Sequence, residues 1–115
     1  MKVSEIPYER ADAEKVCGVI DKAVEKINAA KSVDDVLEAR ELVNDALRDF
    51  YTESSLANAR FTLNTKDEFY SAEKDYYDEK MPVVQVSYLK YADAILRSKF
   101  LDELKTKINP VIIKQ

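Results

Sequence analysis

The 115-residue chain contains no histidine and no tryptophan, a single glycine, a single cysteine and three prolines. Each scarcity removes a class of function. Without histidine there is no Ser-His-Asp or Cys-His arrangement and no His-Glu-x-x-His zinc helix. The Glu-x-x-His half-sites of ferritin-like di-iron bundles are missing for the same reason. One glycine, Gly18, cannot build a phosphate-cradling loop or a dinucleotide fingerprint. Nor can it supply the positive-φ residues that tight hairpins use, so sheet-rich folds are disfavoured and helices are not. One cysteine, Cys17, forms no internal disulfide, which agrees with a reducing compartment and makes the cytoplasm the expected location.

Two further absences concern partners. Eighteen basic residues are scattered among 22 acidic ones, for a net charge of −4. A nucleic-acid binder needs a basic face that releases phosphate counterions, so no nucleic-acid partner is expected. No stretch approaches the roughly 18 apolar residues of a membrane span, and Met1–Glu5 runs into polar sequence with no apolar leader core. What is present is a globular balance, 46% hydrophobic and 35% charged, in a length that suits one domain over 1–115.

The apolar pattern is helical throughout. Residues 1–11 hold Pro7 and no period, and read as an extended lead-in. Over 12–30, Val16, Val19, Ile20, Ala23, Val24 and Ile27 recur at three- and four-residue steps, one face of an amphipathic helix. Gly18 inside it costs roughly 1 kcal/mol relative to alanine, which suggests close approach of a neighbouring helix. Ser32, with Asp34 and Asp35 behind it, resembles a capping box opening a long helix over 33–63. There Val36, Val43, Phe50 and Ala57 repeat every seven residues, interleaved with Arg40, Leu47, Ser54 and Phe61, as on the seam of an antiparallel bundle.

Thr65-x-x-Glu68 reads as the capping box of a third helix, 66–97. Tyr70, Tyr77, Val84 and Tyr91 form its heptad row, with Met81, Tyr88 and Ile95 beside them. The phase survives Pro82, which favours one helix kinked there over two helices meeting there. Ser98 can cap a fourth helix over 99–108, which Asn109-Pro110 ends. Val111-Ile112-Ile113 has no element left to pack on, so the natural chain is expected to continue past Gln115. The fold class is therefore all-α: an antiparallel bundle of about four helices, the second and third long.

Chemistry-bearing residues are few. Cys17 has no partner base and reads as a helix-face residue. Asp67, Glu68, Glu73, Asp75, Asp78 and Glu79 lack the alternation and central glycine of a calcium loop, and read as a solvated face with Lys74 and Lys80 as neighbours. Tyr70, Tyr76, Tyr77, Tyr88 and Tyr91 stand at helical spacing and read as core and interface, with ligand stacking as the alternative. Arg40 falls on the seam and needs to snorkel or find a carboxylate, for which Glu73 is the expected partner. No residue is assigned as catalytic, cofactor-binding or metal-ligating.

Several stretches then fall into a familiar succession. Tyr8-Glu9-Arg10 is followed by Leu56-Ala57-Asn58-Ala59-Arg60 and Asn64-Thr65-Lys66-Asp67-Glu68-Phe69-Tyr70. Glu73, Tyr76-Tyr77-Asp78-Glu79, Pro82, Ser98-Lys99-Phe100 and Glu103-Leu104 come next. In order and spacing this resembles the N-terminal domain of oligoendopeptidase F-type zinc peptidases, relatives of thimet oligopeptidase, over essentially the whole chain. It departs at Asn109-Pro110, where some relatives have glycine. The resemblance implies a cytosolic zinc metalloendopeptidase that cleaves short peptides inside a deep helical cavity. The zinc-binding His-Glu-x-x-His helix and the later glutamate ligand map onto no residue here. The chain alone is then expected to be inert, one lobe whose partner is the catalytic domain of its own polypeptide. Its second apolar surface (Val83, Val86, Phe100, Leu101 and 111–113) is expected to be partly exposed and available to a homodimer. The alternative is a stand-alone helical module that docks a partner helix.

Overall fold

The computed structural model describes residues 2–108. A short 3-10 turn, Val3–Glu5, precedes an extended stretch, and four helices follow: α1 Ala13–Asn28, α2 Val33–Leu63, α3 Glu68–Arg97 and α4 Leu101–Ile108. Among the described residues there is no strand. The expected stop at Asn109-Pro110 and the triplet Val111-Ile112-Ile113 lie outside them. The bundle is elongated, 51 × 29 × 20 Å.

Helix α2 runs antiparallel to α3. Phe50 meets Tyr77 edge to face at 5.4 Å, Arg60 donates to the Tyr70 hydroxyl at 2.6 Å, and Arg40 shares a cleft with Tyr88 and Tyr91. Helix α1 packs on both, while α4 touches α2 and α3 and not α1. The heptad row of α2 is the core: Val36, Val43, Phe50 and Ala57 are wholly buried. Tyr77, Val84 and Tyr91 face them from α3, and Ile20, Ala23 and Ile27 close the third side from α1. Burying each large side chain here contributes roughly 1.5–3 kcal/mol, which is why the register is fixed. Helix α3 continues through Pro82, so the single-helix reading holds.

The local signals of the helix ends are partly different from expectation. Asp12, not a residue inside the helix, caps α1 by accepting from the amides of Glu14 and Lys15. Ser32 stands at the cap of α2 but its hydroxyl makes no capping bond; Asp35 instead reaches back to the Lys31 amide at 3.0 Å. The Thr65 capping box is not used. Asp67 caps α3 by accepting from the Tyr70 amide, because Asn64 accepts from the Lys66 amide and holds 64–66 in a turn. Ser98 does accept from the Phe100 amide ahead of α4. Gly18 is not a point of close approach: a Cβ there would have no neighbour within 4 Å.

Candidate functional site

The densest polar arrangement lies where the lead-in crosses the first turns of α3. Glu73 sits on the buried side of that helix, four residues before Tyr77, and is 3% exposed. It does not belong to a solvated acidic face as expected, although Glu68, Asp75, Asp78 and Glu79 do. Its partner is not Arg40. Arg10 of the lead-in brings its Nε to 3.0 Å from Oε1, and its Nη2 closes the ion pair on Oε2. The antiparallel packing explains the miss. Arg40 lies level with Tyr88 and Tyr91, and the roughly 18 residues from Glu73 to Tyr91 set the two levels about 27 Å apart at 1.5 Å per residue.

The phenols around Glu73 are used in both directions. Tyr8 donates to Glu73 Oε1 at 2.6 Å. Its one proton is thereby committed, so in the 2.9 Å contact between Tyr8 and Tyr77 it is Tyr77 that donates. Tyr77 accepts in turn from the Ala11 amide at 2.9 Å. Tyr76 donates to the Ala11 carbonyl at 2.7 Å and accepts from the Ala13 amide at 3.0 Å. The Arg10 guanidinium lies over the Tyr76 ring, 4.3 Å from its centre. Farther along, Arg60 donates to the Val3 carbonyl at 2.9 Å and to the Ile6 carbonyl. The lead-in has no backbone partner strand or helix, and α2 and α3 side chains meet the carbonyls of Val3, Ile6 and Ala11 and the amides of Glu9 and Ala11.

The electrostatics follow. The Arg10 hydrogen bonds hold the Glu73 carboxyl below the usual carboxylate range, with burial opposing and Tyr8 assisting. Glu73 in turn holds the Arg10 guanidinium further into its charged form. Burial, followed by the bond that Tyr8 donates to Glu73, pushes the Tyr8 phenol far up. Burial also raises Tyr77. An ionised carboxylate next to two neutral phenols would suit a proton-transfer site. Here both oxygens of Glu73 and the hydroxyls of Tyr8, Tyr76 and Tyr77 are already taken by protein groups, so the arrangement is an anchor. Among the described residues no buried side-chain polar atom lacks a partner.

The remaining candidates are more open. A cleft of about 390 Å³ between the lead-in, α1 and α2 is walled by Glu9, Lys15, Val16, Asp49 and Glu53, with Glu53 accepting from the Glu9 amide at 3.1 Å. Cys17 is a free, half-buried thiol 3.9 Å from the Val83 carbonyl. Among the described residues no three His, Cys, Asp or Glu side chains gather as a metal cage, and the chain has no histidine; these residues do not fit zinc. No helix among them is long and apolar enough to cross a membrane. Lys74 pairs with Asp78 at 2.6 Å, as the surface reading of that stretch required. Val83 and Val86 are exposed, and Phe100 and Leu101 partly so. Sequence reasoning missed Tyr8 and Arg10 as anchors; the signals were two long polar side chains in a segment otherwise without period and their place in the first stretch of the resemblance, Tyr8-Glu9-Arg10.

Comparison with known proteins converges on one family. The model of the peptidase M3 N-terminal domain matches residues 3–115. PZ peptidase A, solved with an inhibitor, superposes with a TM-score of 0.87 at 33% identity, over 92% of this chain and 19% of its own. A Bacillus anthracis str. Ames protein assigned as an oligoendopeptidase F gives 0.87 at 32%, over 92% and 20%. A further protein so assigned, solved at 3.1 Å, gives 0.87 at 35%, over 92% and 19%. The chain thus spans about a fifth of the length of each. No curated protein matches.

Proposed function

This chain belongs to the peptidase M3 N-terminal domain family, and on that premise we propose that it is the non-catalytic lobe of an oligoendopeptidase F-type zinc endopeptidase. The lobe helps wall the cavity in which the full enzyme hydrolyses short peptides, and alone it is inert. Its natural partner is the catalytic part of the same polypeptide, which carries the zinc and the water-activating glutamate. The observation that carries this reading is the likeness of nearly the whole chain to one part of much larger peptidases, at an identity too high for fold alone. The tied-off chemistry of Glu73 supports inertness, since a carboxylate gripped by Arg10 and Tyr8 has no free oxygen for a substrate proton. The free Cys17 thiol supports a reducing, cytoplasmic setting.

The test has two arms. The purified chain should cleave no fluorogenic peptide and hold no stoichiometric zinc. A hybrid in which it replaces the matched fifth of PZ peptidase A should cleave short peptides and spare long unstructured chains. Chelator-sensitive cleavage by the chain alone, surviving repurification, would overturn the reading. So would a folded hybrid indifferent to substrate length.

A further inference from the structure

One flank of the bundle carries a cation that has no counter-charge among the described residues. Arg40 is half-buried, and the ion pairs among the described residues all join other side chains. It lines an open cleft of about 260 Å³ formed with Tyr88, Tyr91 and Leu96 of α3 and Leu104 and Ile108 of α4. No α1 residue lines this cleft. Its rim is apolar and wet: Leu96 is 66% exposed, the adjoining Leu89 65% and Tyr88 40%.

The Arg40 guanidinium stands beside apolar walls with water in place of an ion-pair partner from the described residues. A carboxylate presented on an apolar segment supplies that partner, because Arg offers a planar fork to it and the walls cover the rest. A second copy of this chain is a poor occupant, since a two-fold contact sets the Arg40-bearing face against itself. The relatives supply a better one: the chain matches a fifth of each, so four-fifths of such a peptidase is available to cover this flank.

We infer that the Arg40 cleft is the socket in which the remainder of the peptidase docks an apolar segment bearing an Asp or Glu side chain. This rests on the lobe reading and specifies where and by what chemistry the lobe is held.

The probe is the PZ peptidase A polypeptide without the fifth that this chain matches, added to the 115-residue chain. Covalent footprinting should show Tyr88 and Leu96 labelled in the free chain and protected in the complex. Arg40→Glu should weaken binding by about tenfold or more, and Arg40→Met should do so in the same direction. Neither should lower the melting temperature of the free chain, where Arg40 has no ion pair to lose among the described residues. Asp21→Asn, on the exposed side of α1, serves as the control. The same footprint is read in the joined hybrid, so that the truncated relative need not fold by itself. Binding that Arg40→Glu leaves unchanged, with protection elsewhere, overturns the socket and leaves the lobe reading standing. Absence of any complex, together with an inactive hybrid, overturns both. Protection of Tyr88 in the free chain, with a dimer in light scattering, gives the cleft to a second copy and overturns the inference.

Discussion

Arg10 and Glu73 stand 63 residues apart and share an ion pair in which Nε alone lies 3.0 Å from one carboxylate oxygen and 3.2 Å from the other. The pair fastens a segment without regular structure to the start of α3. Its two halves are unequal: the Glu73 side chain is buried while that of Arg10 is half in water. The carboxylate therefore depends on the guanidinium more than the reverse. Arg10→Ala should cost about 2 kcal/mol, less than a fully buried pair because solvent screens the outer half. The double replacement Arg10→Met with Glu73→Leu should cost less than the sum of the singles, since no orphaned charge remains. Urea unfolding of the wild type, Arg10→Met, Glu73→Leu and the double variant measures this; strict additivity would show that the pair contributes nothing as a pair.

The same groups set the pH range of stability. Glu73 has a folded pKa below its unfolded value, so its contribution is present above the ordinary carboxylate range near 4.3 and is lost as pH falls through the folded value. Tyr8, Tyr77 and Tyr91 are raised, so the folded state favours their neutral forms. That contribution is present below the ordinary phenol value near 10 and is lost as pH rises past it. Stability should be flat between these edges, with no step near pH 6.5 because the chain lacks histidine. Circular dichroism melts from pH 3 to 11 would show the two edges, and Glu73→Gln should soften the acid one.

The periodic part of the molecule was legible and the aperiodic part was not. Heptad spacing placed Val36, Val43, Phe50, Ala57, Tyr77, Val84 and Tyr91 on buried faces because burial on a helix must recur every three to four residues. The bounds of α2, Val33–Leu63, followed from the same signal. Periodicity says nothing about a segment that packs with extended backbone, so Tyr8 and Arg10 went unassigned and Glu73 was left without its partner. The Arg40–Glu73 pairing was avoidable: antiparallel helices join early residues of one to late residues of the other. At the caps, Asp67 rather than Thr65 took the role because both types cap helices and only the preceding turn chooses between them.

Gly18 offers a clean test of helix propensity. It lies inside α1, and a methyl group there would meet no atom within 4 Å. Its backbone is helical, so alanine loses nothing in the folded state and narrows the unfolded one. Gly18→Ala should raise stability by about 0.5–1 kcal/mol in chemical denaturation. A destabilised variant would show that α1 approaches a neighbour there after all.

Pro82 sits near the middle of α3 with its ring exposed. It has no N–H for the Asp78 carbonyl, and its ring crowds that carbonyl, which in an ordinary helix costs about 3 kcal/mol. Against this, proline narrows the unfolded ensemble, worth roughly 0.4–1 kcal/mol. Yet α3 holds Tyr77 and Val84, on either side of the proline, in one buried row with Tyr91. Two outcomes separate on this geometry. If the surrounding packing tolerates a straighter helix, Pro82→Ala regains the missing bond and raises stability by about 1–2 kcal/mol. If a bend at Pro82 is what keeps Tyr77 and Tyr91 both against α2, the substitution pulls one of them off the seam and stability falls. We expect the gain. Pro82 itself is exposed, so the change to alanine removes no packed side chain from the seam. Thermal melts of Pro82→Ala and Pro82→Ser give the sign, and the serine variant, which restores the same N–H, must move in the same direction for the hydrogen bond to be the cause.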